Sequence, residues 1–172
     1  MNQKTILALV IVFIFAFLYG ISYLDTGPAP TTVSEAGGSH PARTESALTA
    51  SETVYDFGSI SMKNGDATKD FTVTNTTDKD IMLKTLVTSC MCTQALIVRA
   101  DGTTKGPFGM PGMGYVPPAN ELVKAGENRI IRVVYDPNAH GPAGVGQIDR
   151  LVFLEDSNGG KIQLEIKALV TP

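Results

Sequence analysis

Tryptophan is absent from this chain, cysteine occurs only twice, and one of its two histidines lies outside the region that carries strand-like patterning. These shortages exclude a good deal. With His140 the only histidine after residue 51, a Ser/His/Asp triad has a single imidazole to be built on. There is no nucleophile elbow, no phosphate-binding glycine loop followed by Lys and Ser or Thr, and no zinc-protease helix with two spaced histidines. Asp136, His140 and Asp149 are the only neighbouring acid–base candidates, and a turn aspartate beside a loop histidine is the simpler description. Asp136-Pro137-Asn138 lacks the regularly spaced oxygen ligands of a dedicated calcium loop. A formal net charge of -3 provides no basic surface for nucleic acid or an anionic membrane. The expectation is a protein that is not an enzyme, needs no cofactor and binds no nucleic acid.

Charge is also missing from the amino terminus, where no charged side chain separates Lys4 from Asp25 and Ile6 to Tyr19 is wholly apolar or aromatic. About 20 uncharged residues at about 1.5 Å each span about 30 Å, the thickness of a bilayer's hydrocarbon core. Residues 1–24 therefore read as a single-pass membrane anchor. The rival is a cleaved signal peptide, for which Gly20-Ile21-Ser22 is a poor cleavage site. Lys4 before the segment favours a cytoplasmic amino terminus and an extracytoplasmic remainder, periplasmic or extracellular. Residues 25–50, which include His40, are rich in Pro, Gly, Ser, Thr and Ala without apolar periodicity, and read as a flexible linker.

From residue 51 to 172 the periodicity is two. Phe71, Val73 and Asn75 alternate with polar neighbours, and Ile81, Leu83, Thr85 and Val87 oppose Met82, Lys84 and Leu86. Arg129 to Tyr135 and Leu151 to Leu154 read as buried strands. At the end, Ile162, Leu164, Ile166, Ala168 and Val170 fall on one face, with Lys161, Gln163, Glu165 and Lys167 on the other. Turn signals separate these runs, among them Lys63-Asn64-Gly65-Asp66 and Ser157-Asn158-Gly159-Gly160. About seven or eight short strands without strand–helix alternation predict an all-β, antiparallel two-sheet sandwich.

Two stretches break the spacing. Asp101 to Ala125 holds the Gly/Pro-rich run Gly106 to Pro118, and Asp136 to Gly146 is a second excursion. Long loops inside compact domains are often functional. These two read either as plain surface loops or as one binding surface with the cysteine pair, presenting Phe108, Met110, Met113, Tyr115 and His140.

Val54-Tyr55-Asp56-Phe57-Gly58-Ser59-Ile60, Phe71-Thr72-Val73-Thr74-Asn75, Ser89-Cys90-Met91-Cys92-Thr93 and the Gly126-Glu127 turn before a strand follow one another in an order that resembles a bacterial exported family, the domain of unknown function 1573. The resemblance implies an immunoglobulin-like sandwich related to the domains of abnormal-spindle, major-sperm and hydin-type proteins, with no established activity. Met91 stands where the family usually has Gly, and the loops of Met110 and His140 are longer than its common form.

In an extended strand, Cys90 and Cys92 would point to one face with Cα atoms about 6.5 Å apart and nearly parallel Cβ bonds, so a bridge between them requires a bend. Thiolates chelate a metal from separated backbones more easily, and soft sulfur ligands suit Cu(I). Met91, Met110, Met113 and His140 are the further candidate ligands of such a copper site. The remaining alternatives are a labile redox pair and two inert, packed thiols. The combined expectation is a membrane-tethered extracytoplasmic domain that binds a protein partner in the cell envelope, or else a copper or thiol-redox protein using Cys90 and Cys92.

Overall fold

The computed structural model describes residues 46–172, so the expected anchor at 1–24, His40 and most of the linker lie outside the described residues. Where apolar residues alternate, strands form. β1 (Leu48–Ala50), β2 (Val54–Ser61), β3 (Ala67–Asn75), β4 (Ile81–Thr88) and β5 (Thr93–Val98) lead into β6 (Thr104–Phe108) and β7 (Glu121–Val123). β8 (Asn128–Tyr135), β9 (Gly146–Asp156) and β10 (Lys161–Thr171) complete an all-β sandwich. One sheet runs β1-β3-β8-β5-β6 and the other β2-β10-β9-β4-β7. All pairings are antiparallel except β2 with β10, which is parallel.

The ten strands exceed the expected seven or eight for physical reasons. β1 and β7 are too short to display a period, and β6 passes through Gly106-Pro107, which offers no alternation. Proline is tolerated there because β6 is an edge strand whose outer side needs no ladder donor. β1 occupies the last three residues read as linker and buries Leu48, so the sheet starts just before residue 51. The expected long loop at Asp101 to Ala125 likewise shrinks to the stretch between Phe108 and Glu121.

Within β4 the expected alternation fails at Lys84. The pairing with β9 slips between Leu83 and Thr85, a bulge that reverses the phase of everything after it. Leu86 and Thr88 are consequently buried, whereas Thr85 is exposed. The freed Lys84 carbonyl accepts the Ala119 N–H at 2.8 Å, so the loop before β7 is fixed by the same irregularity.

Phe71, Ile131, Val133 and Ile97 of one sheet belong to the same core as Leu83, Leu86, Leu154, Leu164 and Ile166 of the other. Each such side chain contributes about 1.5–3 kcal/mol by leaving water. Two buried polar residues hold an edge of the sandwich. Asn75 donates through Nδ2 to the carbonyls of Lys79 and Val123, and its Oδ1 accepts from the backbone and hydroxyl of Thr77. Glu121 on β7 accepts from Arg99 through both carboxylate oxygens, at 2.8 and 2.7 Å, and from Arg129 Nε at 2.9 Å. The Arg99 hydrogen bonds hold this carboxyl below the usual carboxylate range despite the opposing effect of burial.

Candidate functional site

β4 ends at Thr88, and Ser89 to Cys92 turn the chain from one sheet into β5 of the other. The Thr93 N–H closes this turn on the Cys90 carbonyl at 3.1 Å, and the Thr88 hydroxyl shares its proton between the carbonyls of Cys90 and Thr93. The bend brings the Cα atoms of Cys90 and Cys92 to 5.3 Å, and the two cysteines are disulfide-bonded. An extended strand would have kept them apart, so the turn is what makes the bridge possible.

Three backbone contacts anchor this turn and draw both irregular loops to it. Ser89 and Leu151 of β9 exchange two hydrogen bonds, with Ser89 N–H on the Leu151 carbonyl and Leu151 N–H on Ser89 Oγ, each at 2.9 Å. Asp136 N–H donates to the Cys92 carbonyl, which ties in the loop that carries His140. Thr88 N–H donates to the Gly109 carbonyl, which ties in the loop that carries Met110 and Met113. Both loops thus lie against the cysteine turn.

His140 is the residue before a short 3-10 turn at Gly141–Gly144, in a loop pinned by Asn138 N–H on Asp136 Oδ1 and by Asn138 Nδ2 on the Met62 carbonyl. Its Nε2 lies 3.3 Å from Cys90 Sγ. On the other side, Arg150 Nε donates to Cys92 Sγ at 3.2 Å. The disulfide is thus flanked by an imidazole and a guanidinium, one on each sulfur. Its two ends also differ in access: Cys90 is partly exposed, while Cys92 is 3% exposed.

Arg150 escaped sequence reasoning, although one signal was available: it is the one cation among the apolar residues from Ile148 to Leu154. A charge held in such a strand must find partners, and here Nη1 donates to the Asp149 carbonyl at 2.8 Å while Nε meets the sulfur. The remaining acid–base candidate, Asp149, turns to Glu165 instead. Desolvation first, and then the hydrogen bond and charge of Glu165, push its carboxyl above the usual range. Beneath the site, burial raises the Tyr135 hydroxyl further from neutrality, which leaves it a proton donor.

Met110, Met113 and Tyr115 join Met91 and Val116 around a groove of about 210 Å³ beside the cysteine turn. Tyr115 is 87% exposed, Met113 58% and Met91 49%, an open apolar surface at a single end of the sandwich. Phe108, expected on the loop surface, is the last residue of β6 and is fully buried, so it forms the groove's floor. As ligands for a soft cation, the sulfurs of Cys90 and Cys92 and a ring nitrogen of His140 lie within 4.8 Å of one another. That set fits a soft metal only once the disulfide is reduced, because thiolates are the ligating form.

The bridge closes a ring of three residues, for which the chain-entropy relation gives about 1.6 kcal/mol against about 3 for a fifteen-residue loop. It is a weak staple. The variant carrying Cys90→Ser and Cys92→Ser is therefore expected to remain folded, with a thermal midpoint lowered by no more than about 10 °C in calorimetry.

The chain matches the family described as protein of unknown function (DUF1573) over residues 48–103, the stretch that contains Cys90 and Cys92. No curated protein matches it. Among solved structures it is similar to a protein of unknown function from Porphyromonas gingivalis W83, with 13% identity, a TM-score of 0.53, and 76% of this chain and 51% of that chain covered. The chain thus spans about half the length of that protein, and the likeness is one of fold. It is also similar to an ASH/PapD-like domain of human CEP192, with 10% identity, a TM-score of 0.46, and 84% and 98% of the two chains covered. For the periplasmic chaperone SfaE the identity is 18%, the TM-score 0.38 and the coverage 73% and 57%.

Proposed function

We propose that this chain, which carries the DUF1573 pattern over residues 48–103, is a membrane-tethered, extracytoplasmic domain of the immunoglobulin-like kind that binds a protein partner in the cell envelope without catalysis. The observation that carries this reading is the exposed cluster of Met91, Met113 and Tyr115 around the groove, held in place by the backbone contacts of the cysteine turn. Exposed apolar surface of this kind costs solubility unless something covers it, and adaptable methionines suit a polypeptide surface. The uncharged amino-terminal segment supplies the tether, and the formal net charge of -3 argues against nucleic acid.

A photo-crosslinking residue placed at Tyr115 in cells tests the proposal. One discrete envelope-protein adduct is expected, reduced about tenfold by Met91→Asp with Met113→Asp, since an apolar anchor buried at an interface is commonly worth 1.4 kcal/mol or more. Absence of any adduct, or an adduct indifferent to both substitutions, sinks it.

The second reading, a copper-binding or thiol-redox role, is favoured by the proximity of Cys90, Cys92 and His140. Elemental analysis of the reduced chain distinguishes its copper form: copper should copurify, and should be lost with Cys90→Ser and Cys92→Ser.

A further inference from the structure

The groove explains neither why both sulfurs carry a nitrogen partner nor why the two cysteines differ so much in exposure. A packed, inert pair needs no cationic neighbour. A cation-binding pair is poorly served by the guanidinium of Arg150, which places positive charge 3.2 Å from one of the would-be ligands. The arrangement does suit a disulfide that opens toward one side. Exchange proceeds by attack of a thiolate on an accessible sulfur, and it is faster when the departing sulfur leaves readily as an anion. Cys90 is the accessible sulfur, and Cys92 is the one faced by Arg150.

We infer that Cys90–Cys92 is a thiol–disulfide exchange site for a dithiol substrate, with Cys90 the sulfur attacked and Cys92 the leaving group stabilised by Arg150. A substrate thiolate attacks Cys90 Sγ and forms a mixed disulfide. The Cys90–Cys92 bond breaks, and its electron pair leaves on Cys92 Sγ, opposite the Arg150 Nε–H. The second thiolate of the same substrate then attacks the substrate sulfur of the mixed disulfide. Cys90 leaves as a thiolate beside His140 Nε2. The substrate dithiol is oxidised to a disulfide, two electrons reduce Cys90 and Cys92, and the two substrate protons end on these cysteines through solvent. One equivalent of dithiol is consumed per chain, so no turnover is required.

The inference rests on the thiol-redox reading and gives it a definite step, and it is tested apart from the binding role, because cysteine and Arg150 variants leave Met113 and Tyr115 in place. The oxidised full-length chain is treated with dithiothreitol, and its thiols are counted by mass after maleimide labelling. Two thiols should appear in the wild type, and about ten times more slowly in Arg150→Gln, with Arg150→Lys recovering part of the rate as a leaving-group effect requires. With glutathione disulfide as probe, Cys92→Ser should form a mixed disulfide at Cys90 about ten times faster than Cys90→Ser forms one at Cys92, following their access. A reduced two-cysteine peptide with leucine flanks is the parallel arm: preference for it over dithiothreitol identifies a polypeptide substrate, and equal rates identify a small dithiol. Thermal unfolding of each variant confirms that it is folded. Wild-type reduction kinetics in Arg150→Gln, equal or reversed labelling of the two cysteines, or two free thiols in the oxidised chain overturns the inference.

Discussion

Leu86→Ala is expected to destabilise the domain by about 3 kcal/mol, while its neighbour Thr85→Ala stays within about 0.5 kcal/mol. The contrast follows from the bulge at Lys84. In an unbroken strand Leu83, Thr85 and Val87 share the inner face and Leu86 points to solvent, so the costs would be reversed. Because the pairing slips between Leu83 and Thr85, Leu86 is fully buried instead. Its truncation removes apolar contacts and leaves a cavity that a two-sheet core closes only in part. Denaturant unfolding of both variants decides the matter: a larger loss for Thr85→Ala than for Leu86→Ala would put the phase of β4 the other way round.

Glu121→Gln should cost about 3 kcal/mol at neutral pH, because it leaves Arg99 and Arg129 converging on a neutral group in a buried position. The pH dependence has a definite sign. The folded-state carboxyl lies below its ordinary value, chiefly through the Arg99 hydrogen bonds. Its ionised form therefore stabilises the fold fully above the unfolded value of about 4.3, and that stabilisation is lost as pH falls through the depressed folded value. The gap between wild type and Glu121→Gln should be constant from about pH 6 upward and close in acid, where the protonated glutamic acid resembles glutamine. A gap that widens on acidification would contradict the ion-pair assignment.

The parts of this fold that were legible in the sequence are those in which burial and period agree over many residues. β10 is the clearest, since Leu164, Ile166, Ala168 and Val170 are all buried as the alternation requires. β3 and β8 follow the same rule through Phe71 and Val73 and through Ile131, Val133 and Tyr135. Non-local pairing hid the rest. β1, β6 and β7 exist because a neighbouring strand offers an edge, and nothing in Leu48–Ala50 or Thr104–Phe108 announces that edge. At the site, the need for a bend at Cys90–Cys92 could be read from strand geometry alone, and the Ser89–Leu151 contacts that hold it could not. His140 meets Cys90 as one alternative required. Met110 and Met113 instead share a groove with Met91, a further candidate ligand that lies between the two cysteines.

The parallel pairing of β2 with β10 also sets an order of assembly. β1, β3, β5, β6 and β8 make up one entire sheet, which can pair once Tyr135 has emerged during synthesis. In the other sheet only β4 and β7 have that early option. Val54 of β2 lies opposite Glu165, and β10 is also the partner of β9, so β2 waits for the last strand to be delivered. Pairing across so long a stretch of chain is slow, and until it occurs the inner face of the first sheet is only partly covered. Between the emergence of Tyr135 and the arrival of β10 the nascent domain is thus an incomplete sandwich with part of its apolar side uncovered, the interval in which it depends most on whatever shields exposed sheets.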